Sequence, residues 1–170
     1  MHPIHSLHLS GFRRSHRYSS LTVDDMNMEK ALFWKTKKLN EMTHDEWESL
    51  CDGCGICCLE KLEDKETGEI RLLSISCQFL DTVDCRCMIY DYRMFLNPDC
   101  IKLSPDNLIQ IKWLPATCAY RCVHEGRDLE WWHPLVSGSP NTIHQAGVSI
   151  RDRVVSGLYV HHKDILNQSK

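Results

Sequence analysis

The sequence predicts an α+β fold: one small domain with N-terminal helices, a few short strands and an irregular cysteine-rich centre. Three observations support this prediction. Apolar residues make up 42% of the 170-residue chain, which is enough for a hydrophobic core. Helical and strand-like hydrophobic spacings follow each other in short segments. Four of the ten cysteines fall within eight consecutive residues, a density that core packing alone does not explain.

The first 25 residues show neither helical nor strand periodicity. They are rich in His, Ser and Arg, and residues 1–23 contain no acidic residue. We therefore expect residues 1–25 to be a disordered tail, or to precede a true start at Met26 or Met28. The alternative is an organelle transit peptide, which has a similar composition. Residues 26–165 are predicted to form the domain.

Two helices are predicted at the beginning of this domain. Apolar residues over 28–40 fall near helical spacing among good helix formers, which indicates an amphipathic helix. Thr43 and Glu46 then have the spacing of a capping box, in which each side chain bonds the backbone of the other. The short helix that they begin leads into Cys51. Its apolar face would place the first cysteines against the core.

Short strands are predicted in the middle of the chain. A charged stretch ends in a turn at Thr67 and Gly68. Alternation over 70–77 predicts a strand, and 85–92 is expected to be its partner. A short apolar run over 108–114 predicts a further strand.

The C-terminal third is predicted to contain two more helices. Residues 117–125 form one, and Gly126 ends it. A two-turn helix over 139–147 begins with Ser-Pro and ends with glycine. A last strand or hairpin arm is expected over 148–158.

The segment Cys-Asp-Gly-Cys-Gly-Ile-Cys-Cys, at positions 51–58, is the most informative feature. It places thiols at i, i+3, i+6 and i+7 with glycines between them. The other cysteines are Cys77, Cys85, Cys87, Cys100, Cys118 and Cys122. Such a density indicates either a disulfide framework or a metal site.

The expected compartment separates these two explanations. No apolar run near the N-terminus is long enough for a signal peptide, and none approaches the ~20 residues of a membrane span. We therefore expect a cytoplasmic protein whose thiols stay reduced. Clustered cysteines in such a protein indicate metal binding first, thiol redox chemistry second and structural disulfides last.

The motif does not fit a single tetrahedral ion if it is a continuous helix. The four thiols would then share one side but spread over ~10 Å along the axis, whereas zinc–thiolate bonds are only ~2.3 Å long. Either the helix breaks at Gly53, or the thiols serve more than one metal. Cys57 and Cys58 are adjacent and are expected to point apart, which favours the second arrangement.

The spacing leaves zinc and iron both open. The first three cysteines of the motif match the start of the bacterial ferredoxin pattern, but no cysteine follows at the fourth position of that pattern. A fourth ligand to an iron–sulfur cluster would come from Cys77, Cys87 or Cys100. For zinc, a second Cys-x2-Cys pair is absent. The predicted cofactor is therefore zinc or iron, an iron–sulfur cluster included.

Several short motifs accompany the cysteines. They are Cys77-Gln78-Phe79-Leu80, Cys87-Met88-Ile89-Tyr90-Asp91-Tyr92-Arg93, Pro98-Asp99-Cys100, Trp113-Leu114-Pro115-Ala116-Thr117-Cys118-Ala119-Tyr120-Arg121 and Trp132-His133-Pro134-Leu135. With the 51–58 segment, they make the chain resemble the bacterial CxxCxxCC cysteine-cluster proteins (YkgJ-type, zinc- or iron-chelating), and among them the YcgN-like branch. The resemblance covers residues 29–160. It implies metal chelation and brings no settled activity.

The predicted metal ligands follow from the motif, the later cysteines and the resemblance together. The principal ligands are Cys51, Cys54, Cys57, Cys58, Cys77, Cys87 and Cys100. Cys85 and Cys118 are held in reserve, whereas Cys122 fits no motif. His133 is the one histidine that a branch motif includes. Seven to nine thiolates exceed one tetrahedral site and suffice for two, or for a polynuclear centre.

Composition narrows the functional classes. The net charge is −3, and no basic stripe with interleaved aromatics occurs, so nucleic acid is not an expected partner. No catalytic constellation is visible, which favours a protein that is not an enzyme. The first hypothesis is a metal-binding or adaptor module with a protein partner. The second is an iron–sulfur electron-transfer or enzyme-accessory protein, and the third is a dithiol redox protein.

Overall fold

The computed structural model describes residues 32–161 and shows the predicted α+β arrangement. The helices are α1 (Phe33–Thr36), α2 (His44–Ser49), α3 (Arg93–Leu96), α4 (Ala119–His124), α5 (Pro134–Ser137) and α6 (Thr142–Gln145). The strands are β1 (Leu59–Glu63), β2 (Ile70–Ser76), β3 (Leu80–Asp81), β4 (Arg86–Cys87) and β5 (Val155–Ser156). Short 3₁₀ turns lie at Leu39–Glu41, Ile56–Cys58, Tyr90–Tyr92, Leu108–Gln110 and Gly157–Tyr159. The expectations for residues 1–25 lie outside the described residues.

The helix predicted over 28–40 is interrupted. Its part before residue 32 lies outside the described residues, and after α1 the backbone of Lys37 is extended (φ −107°, ψ 144°). The Nζ of Lys37 lies 2.6 Å from a carboxylate oxygen of Glu46 in α2. This contact connects the extended residue Lys37 to the next helix. Tertiary structure thus overrides the local helix propensity of this segment.

The capping box at the start of α2 is confirmed. The Thr43 hydroxyl accepts the Glu46 backbone N–H at 3.3 Å, and the Glu46 carboxylate accepts the Thr43 N–H at 2.8 Å. These two bonds satisfy donors that the first helical turn leaves unpaired. The helix ends at Ser49, and Leu50 is fully buried behind it.

The main sheet has the strand order β1-β2-β5, with β1 antiparallel and β5 parallel to β2. The first predicted strand is confirmed as β2, but the expected partner over 85–92 is wrong, because β1 takes that place. The Asp64 carboxylate accepts the backbone N–H groups of Glu66 and Thr67, at 2.9 and 2.8 Å. Gly68 follows with φ +70°. This tight loop makes the charged strand β1 the nearest partner of β2.

The strand predicted over 108–114 is also wrong, because a 3₁₀ turn begins there. The Asn107 side chain accepts the Ser104 N–H at 2.9 Å, and the Ser104 hydroxyl accepts the Asn107 N–H at 3.3 Å. Such local side-chain bonds compete with strand formation. The apolar run still serves the core, since Leu108 and Leu114 are buried.

The C-terminal predictions are closer to the structure. The helix predicted over 117–125 is confirmed as α4, and Gly126 follows with φ +68°. Within 139–147, α6 begins only after Asn141, so the predicted Ser-Pro start is wrong. The last strand within 148–158 is the two-residue β5.

Buried apolar residues form two clusters. The first contains Phe33, Trp34, Leu39, Leu50, Leu108, Leu114, Ala119, Tyr120, Cys122 and Leu129. The second contains Leu59, Leu80, Cys85 and Ile150. The 51–58 segment connects them, since it starts beside Leu50 and ends beside Leu59. Within residues 32–161, no helix is long and apolar enough to cross a membrane.

Candidate metal centre

The 51–58 segment, hereafter the cysteine loop, is not helical up to residue 55. Helix α2 ends at Ser49, before the first cysteine. Gly53 and Gly55 both have φ +76°, a conformation that residues with a side chain rarely adopt. Of the two alternatives left open by the sequence, the backbone shows a break in the helix, and the break lies upstream of Gly53. Because the backbone turns repeatedly, the thiols are not spread along a helix axis.

Two hydrogen bonds hold the backbone of the cysteine loop, one of them from Ile150 of the second cluster. The Ile150 N–H donates to the Cys54 carbonyl at 2.9 Å, and the Cys54 N–H donates to the Asp52 carboxylate at 3.0 Å. A Cβ on Gly55 would lie 2.7 Å from the Ile150 Cγ1 atom. Glycine is therefore required at this contact for steric reasons as well as for its backbone angle.

Eight cysteines line one cavity of about 590 Å³. They are Cys51, Cys54, Cys57, Cys58, Cys77, Cys87, Cys100 and Cys118. All seven principal predicted ligands and one of the two reserves thus face the same space. Leu50 and Leu114 of the first cluster and Leu59 and Leu80 of the second also line it, so the cavity lies between the two cores.

Backbone and side-chain bonds connect the later cysteines to the loop. The Cys77 N–H donates to the Cys58 carbonyl at 2.7 Å, next to the pairing of β1 with β2. The Asn97 amide nitrogen lies 3.5 Å from the Cys77 sulfur, and the Asn97 carbonyl accepts the Cys100 N–H at 3.0 Å. Asn97 thereby links two walls of the cavity, while β4 supplies Cys87.

The expectation that the adjacent thiols point apart is wrong. The sulfurs of Cys57 and Cys58 are 3.9 Å apart. This is close to the ~3.8 Å edge of a tetrahedron of thiolates with bonds of ~2.3 Å. Within the described ranges, however, no three histidine, cysteine or carboxylate groups are already arranged around one ion. The thiols therefore surround the cavity without converging on a single point.

The cavity environment disfavours free thiolates. Burial raises the pKa of Cys51 to about 11 and that of Cys118 to about 12. Burial also raises the pKa of Cys54 well above its ordinary value. The hydrogen bond from Cys58 and then burial do the same to the pKa of Cys57. These four groups are neutral thiols at pH 7, and a bound cation must displace their protons.

Cys85 and Cys122 lie outside the cavity lining. Cys85, a predicted reserve ligand, is buried in the second cluster, where its φ of +54° turns the chain into β4. Cys122 is buried in the first cluster, and its sulfur lies 3.5 Å from the Ala116 carbonyl. Both pack as small apolar side chains.

His133 supports the cysteine loop from the interior and does not line the cavity. It is 2% exposed. Its Nδ1 accepts the Leu135 N–H at 3.0 Å, which caps α5 and leaves the ring proton on Nε2. The Nε2–H group therefore donates to the Leu50 carbonyl, 3.1 Å away, immediately before Cys51.

Two charged residues of the cavity lining had no sequence signal. Lys61 comes from the charged stretch that precedes the turn at Thr67 and Gly68. Its Nζ donates to the carbonyls of Cys57 (2.9 Å) and Leu59 (2.7 Å). The same ammonium lies 4.3 Å from the ring centroid of Trp113. Asp52 is buried within the motif itself, and only its proximity to the cysteines could have indicated it.

The comparisons with known proteins point to the same region. A family described as "Putative zinc- or iron-chelating domain" (CxxCxxCC) matches residues 50–119, the span that supplies all eight cavity cysteines. A UPF0260 protein of Allorhizobium ampelinum is 58% identical over 132 residues, which are 78% of this chain and 83% of that protein. The chain belongs to the UPF0260 family.

Other members of the family are similarly close. A UPF0260 protein of Sinorhizobium fredii is 62% identical over 124 residues, which are 73% of this chain and 80% of that protein. One from Granulibacter bethesdensis is 58% identical over 129 residues, 75% of this chain and 78% of that protein. The resemblance to the CxxCxxCC proteins is thus confirmed. No solved structure matches this chain.

Proposed function

We propose that the protein binds zinc or iron in the cysteine-lined cavity and acts as a metal-binding or adaptor module. The observation that carries the proposal is the gathering of eight cysteines from separate parts of the chain around one cavity. Thiolates bind zinc and iron well, whereas magnesium and calcium prefer oxygen ligands. The donor set thus fits the metals named in the family description.

The centre holds more than one metal ion. Four thiolates complete a tetrahedral site, and eight line the cavity. The principal ligands are those predicted from the sequence, with Cys118 added and Cys85 removed from the set.

The second candidate is an iron–sulfur protein that transfers electrons or supports a partner enzyme. The wide ring of thiolates favours it, because a cluster with its own sulfides spans more space than one ion. The Asn97 amide is also placed to donate to the Cys77 sulfur, and such bonds tune cluster potentials.

The dithiol hypothesis receives less support from the site. A redox-active dithiol needs an accessible thiol with a depressed pKa. The pKa values of Cys51, Cys54 and Cys57 are instead raised. Cys57 is exposed and its sulfur lies 3.9 Å from that of Cys58, but the raised pKa of Cys57 does not favour its thiolate.

Elemental analysis and a visible spectrum of protein purified without oxygen test the proposal. Colourless protein with two zinc ions supports the metal-binding module. Brown protein with several irons and acid-labile sulfide supports the iron–sulfur candidate. Metal-free protein that takes up neither metal would overturn both. Because the thiols must stay reduced, the proposal includes the cytoplasm as its compartment.

A further inference from the structure

A metal centre that uses all the cavity thiolates would carry more negative charge than its metal ions neutralise. Each thiolate brings one negative charge, so eight exceed the charge of two divalent ions. Asp52 adds a buried carboxyl group next to them. Fixed positive charge beside the thiolates would lower the cost of this excess, because opposite charges a few ångströms away favour the ionised form.

Arg86 lies against the first half of the cysteine loop. A Cβ built on Gly53 would be 3.1 Å from the Arg86 Cζ atom and 3.2 Å from Nη2, so the guanidinium packs directly on the glycine. Arg86 belongs to β4, between Cys85 and the cavity residue Cys87.

Lys61 occupies the corresponding position on the second half of the loop. Its ammonium bridges the carbonyls of Cys57 and Leu59, on both sides of Cys58, and packs against the Trp113 ring. Lys61 is therefore held by backbone and ring contacts, whereas Arg86, an exposed residue, packs on Gly53.

We propose that Arg86 and Lys61 are positioning residues of the metal centre, which hold the two halves of the cysteine loop and place fixed positive charge beside its thiolates. The inference rests on the proposed function, since the charge matters only when thiolates bind a cation. It explains why an arginine side chain covers Gly53, and why a lysine extends from β1 across the end of the motif.

Cobalt(II) titration of the metal-free, reduced full-length chain tests this inference. Cobalt bound by thiolates absorbs in the visible and near-ultraviolet, so affinity and ligand type are read together. We expect Arg86→Gln and Lys61→Met to weaken cobalt affinity by about 10- to 100-fold. Arg86→Lys and Lys61→Arg should recover most of the loss. Lys112, which is exposed and outside the cavity lining, provides the control Lys112→Met.

The outcomes separate the two proposals. If the wild-type chain shows no thiolate–cobalt absorption, the proposed function itself fails. If it binds cobalt and both neutral variants bind with wild-type affinity, the positioning role is overturned. If Arg86→Lys and Lys61→Arg are as weak as the neutral variants, charge is not the cause and the inference is overturned. Should Arg86→Gln not fold, the Lys61 variants decide alone.

Discussion

Cys54 and Cys122 form a matched pair of thiols in different surroundings. Cys54 lines the cavity, whereas Cys122 is buried in the first apolar cluster. We expect Cys54→Ser to lower the bound metal and the Tm, because the binding energy of a metal is also folding energy. Cys122→Ser should keep the metal content of the wild-type protein. Elemental analysis and thermal unfolding check both variants.

A Cys54→Ser variant with full metal content and an unchanged Tm would contradict the assignment of the cavity. Loss of metal in a Cys122→Ser variant that keeps the Tm of the metal-free wild-type protein would contradict it as well, because that thiol lies outside the cavity lining. The pair therefore tests where the metal binds, separately from whether cysteines matter in general.

His133 gives the metal-free protein a predicted dependence on pH. Burial lowers the pKa of His133 below 6.5, and only the Asp52 charge and the bond to Leu50 oppose this. As pH falls below 6.5, the unfolded chain takes up the proton first, so the free energy of unfolding decreases. Protonation would also place an N–H on Nδ1, facing the Leu135 N–H that it now accepts.

Urea unfolding at pH 7.5 and pH 5.5, in the presence of a chelator, checks this prediction. The cavity thiols with raised pKa values stay protonated across this interval, so they do not contribute. His133→Gln should lower stability at pH 7.5 by about 1–3 kcal/mol, because the Leu50 carbonyl and α5 lose their partner. It should also reduce the difference between the two pH values. His124→Gln, at an exposed site, should keep the wild-type difference.

For individual residues, the sequence predicts those that belong to a recognisable spacing pattern and misses those that belong to none. The eight cavity cysteines were all named in advance, because spacing and residue type both indicate a metal. Lys61 was not, because one lysine in a charged stretch carries no pattern. His133 was singled out because a branch motif includes it, but its role could not be predicted, since the burial of a side chain depends on the assembled core.

Among the structural elements, the cysteine loop depends on two glycines that serve different needs. At position 55 the backbone is left-handed, and Ile150 occupies the space that a Cβ would need. Gly126, which follows α4, has a similar angle of φ +68° but nothing within 4 Å of a Cβ. We expect Gly126→Ala to cost about 1–2 kcal/mol from backbone strain alone. Gly55→Ala should cost more and also weaken metal binding.

Chemical unfolding and cobalt titration of the two glycine variants separate these contributions. The metal affinity of Gly126→Ala should equal that of the wild-type chain, because Gly126 is distant in sequence from the motif and outside the cavity lining. Equal losses of stability in both variants, with unchanged metal affinity, would show that Ile150 yields easily and that the loop is not held as described.

Elements with a local signal were predicted well, and elements that depend on distant contacts were not. The capping box at Thr43 and the strand β2 needed only nearby residues. The partner of β2 was misassigned because the charged stretch that contains β1 has no strand-like alternation. The Asp64 loop nevertheless makes β1 the nearest neighbour of β2 along the chain. The 3₁₀ turn at Leu108 escaped prediction because an apolar run suits a strand and a buried turn equally.

At the scale of the whole molecule, the cavity lies between the two apolar clusters of residues 32–161. Metal bound between them adds a connection that the clusters do not provide. We expect chelator treatment to lower the Tm, and stoichiometric zinc to restore it. At a free metal concentration of ~1,000 times Kd, the stabilisation would be about 4 kcal/mol. Magnesium should have no effect, because thiolates bind it poorly.

Differential scanning calorimetry of the metal-loaded and metal-free protein checks this expectation. An identical Tm in both states would show that the two clusters are already connected by packing alone. A single transition that moves with metal would show that the domain unfolds as one unit around the cavity.

The wide separation of the cavity cysteines along the chain affects how the protein is made. About sixty residues lie between Cys58 and Cys118, and at ~5–20 residues per second their synthesis takes roughly 3–12 s. During that interval the nascent chain presents four thiols without the remaining walls of their cavity. An ion captured then has an incomplete set of ligands, and an oxidant meets unprotected sulfur. For the proposed centre, we therefore expect correct loading to depend on a reducing environment during translation and on metal that arrives after Cys118.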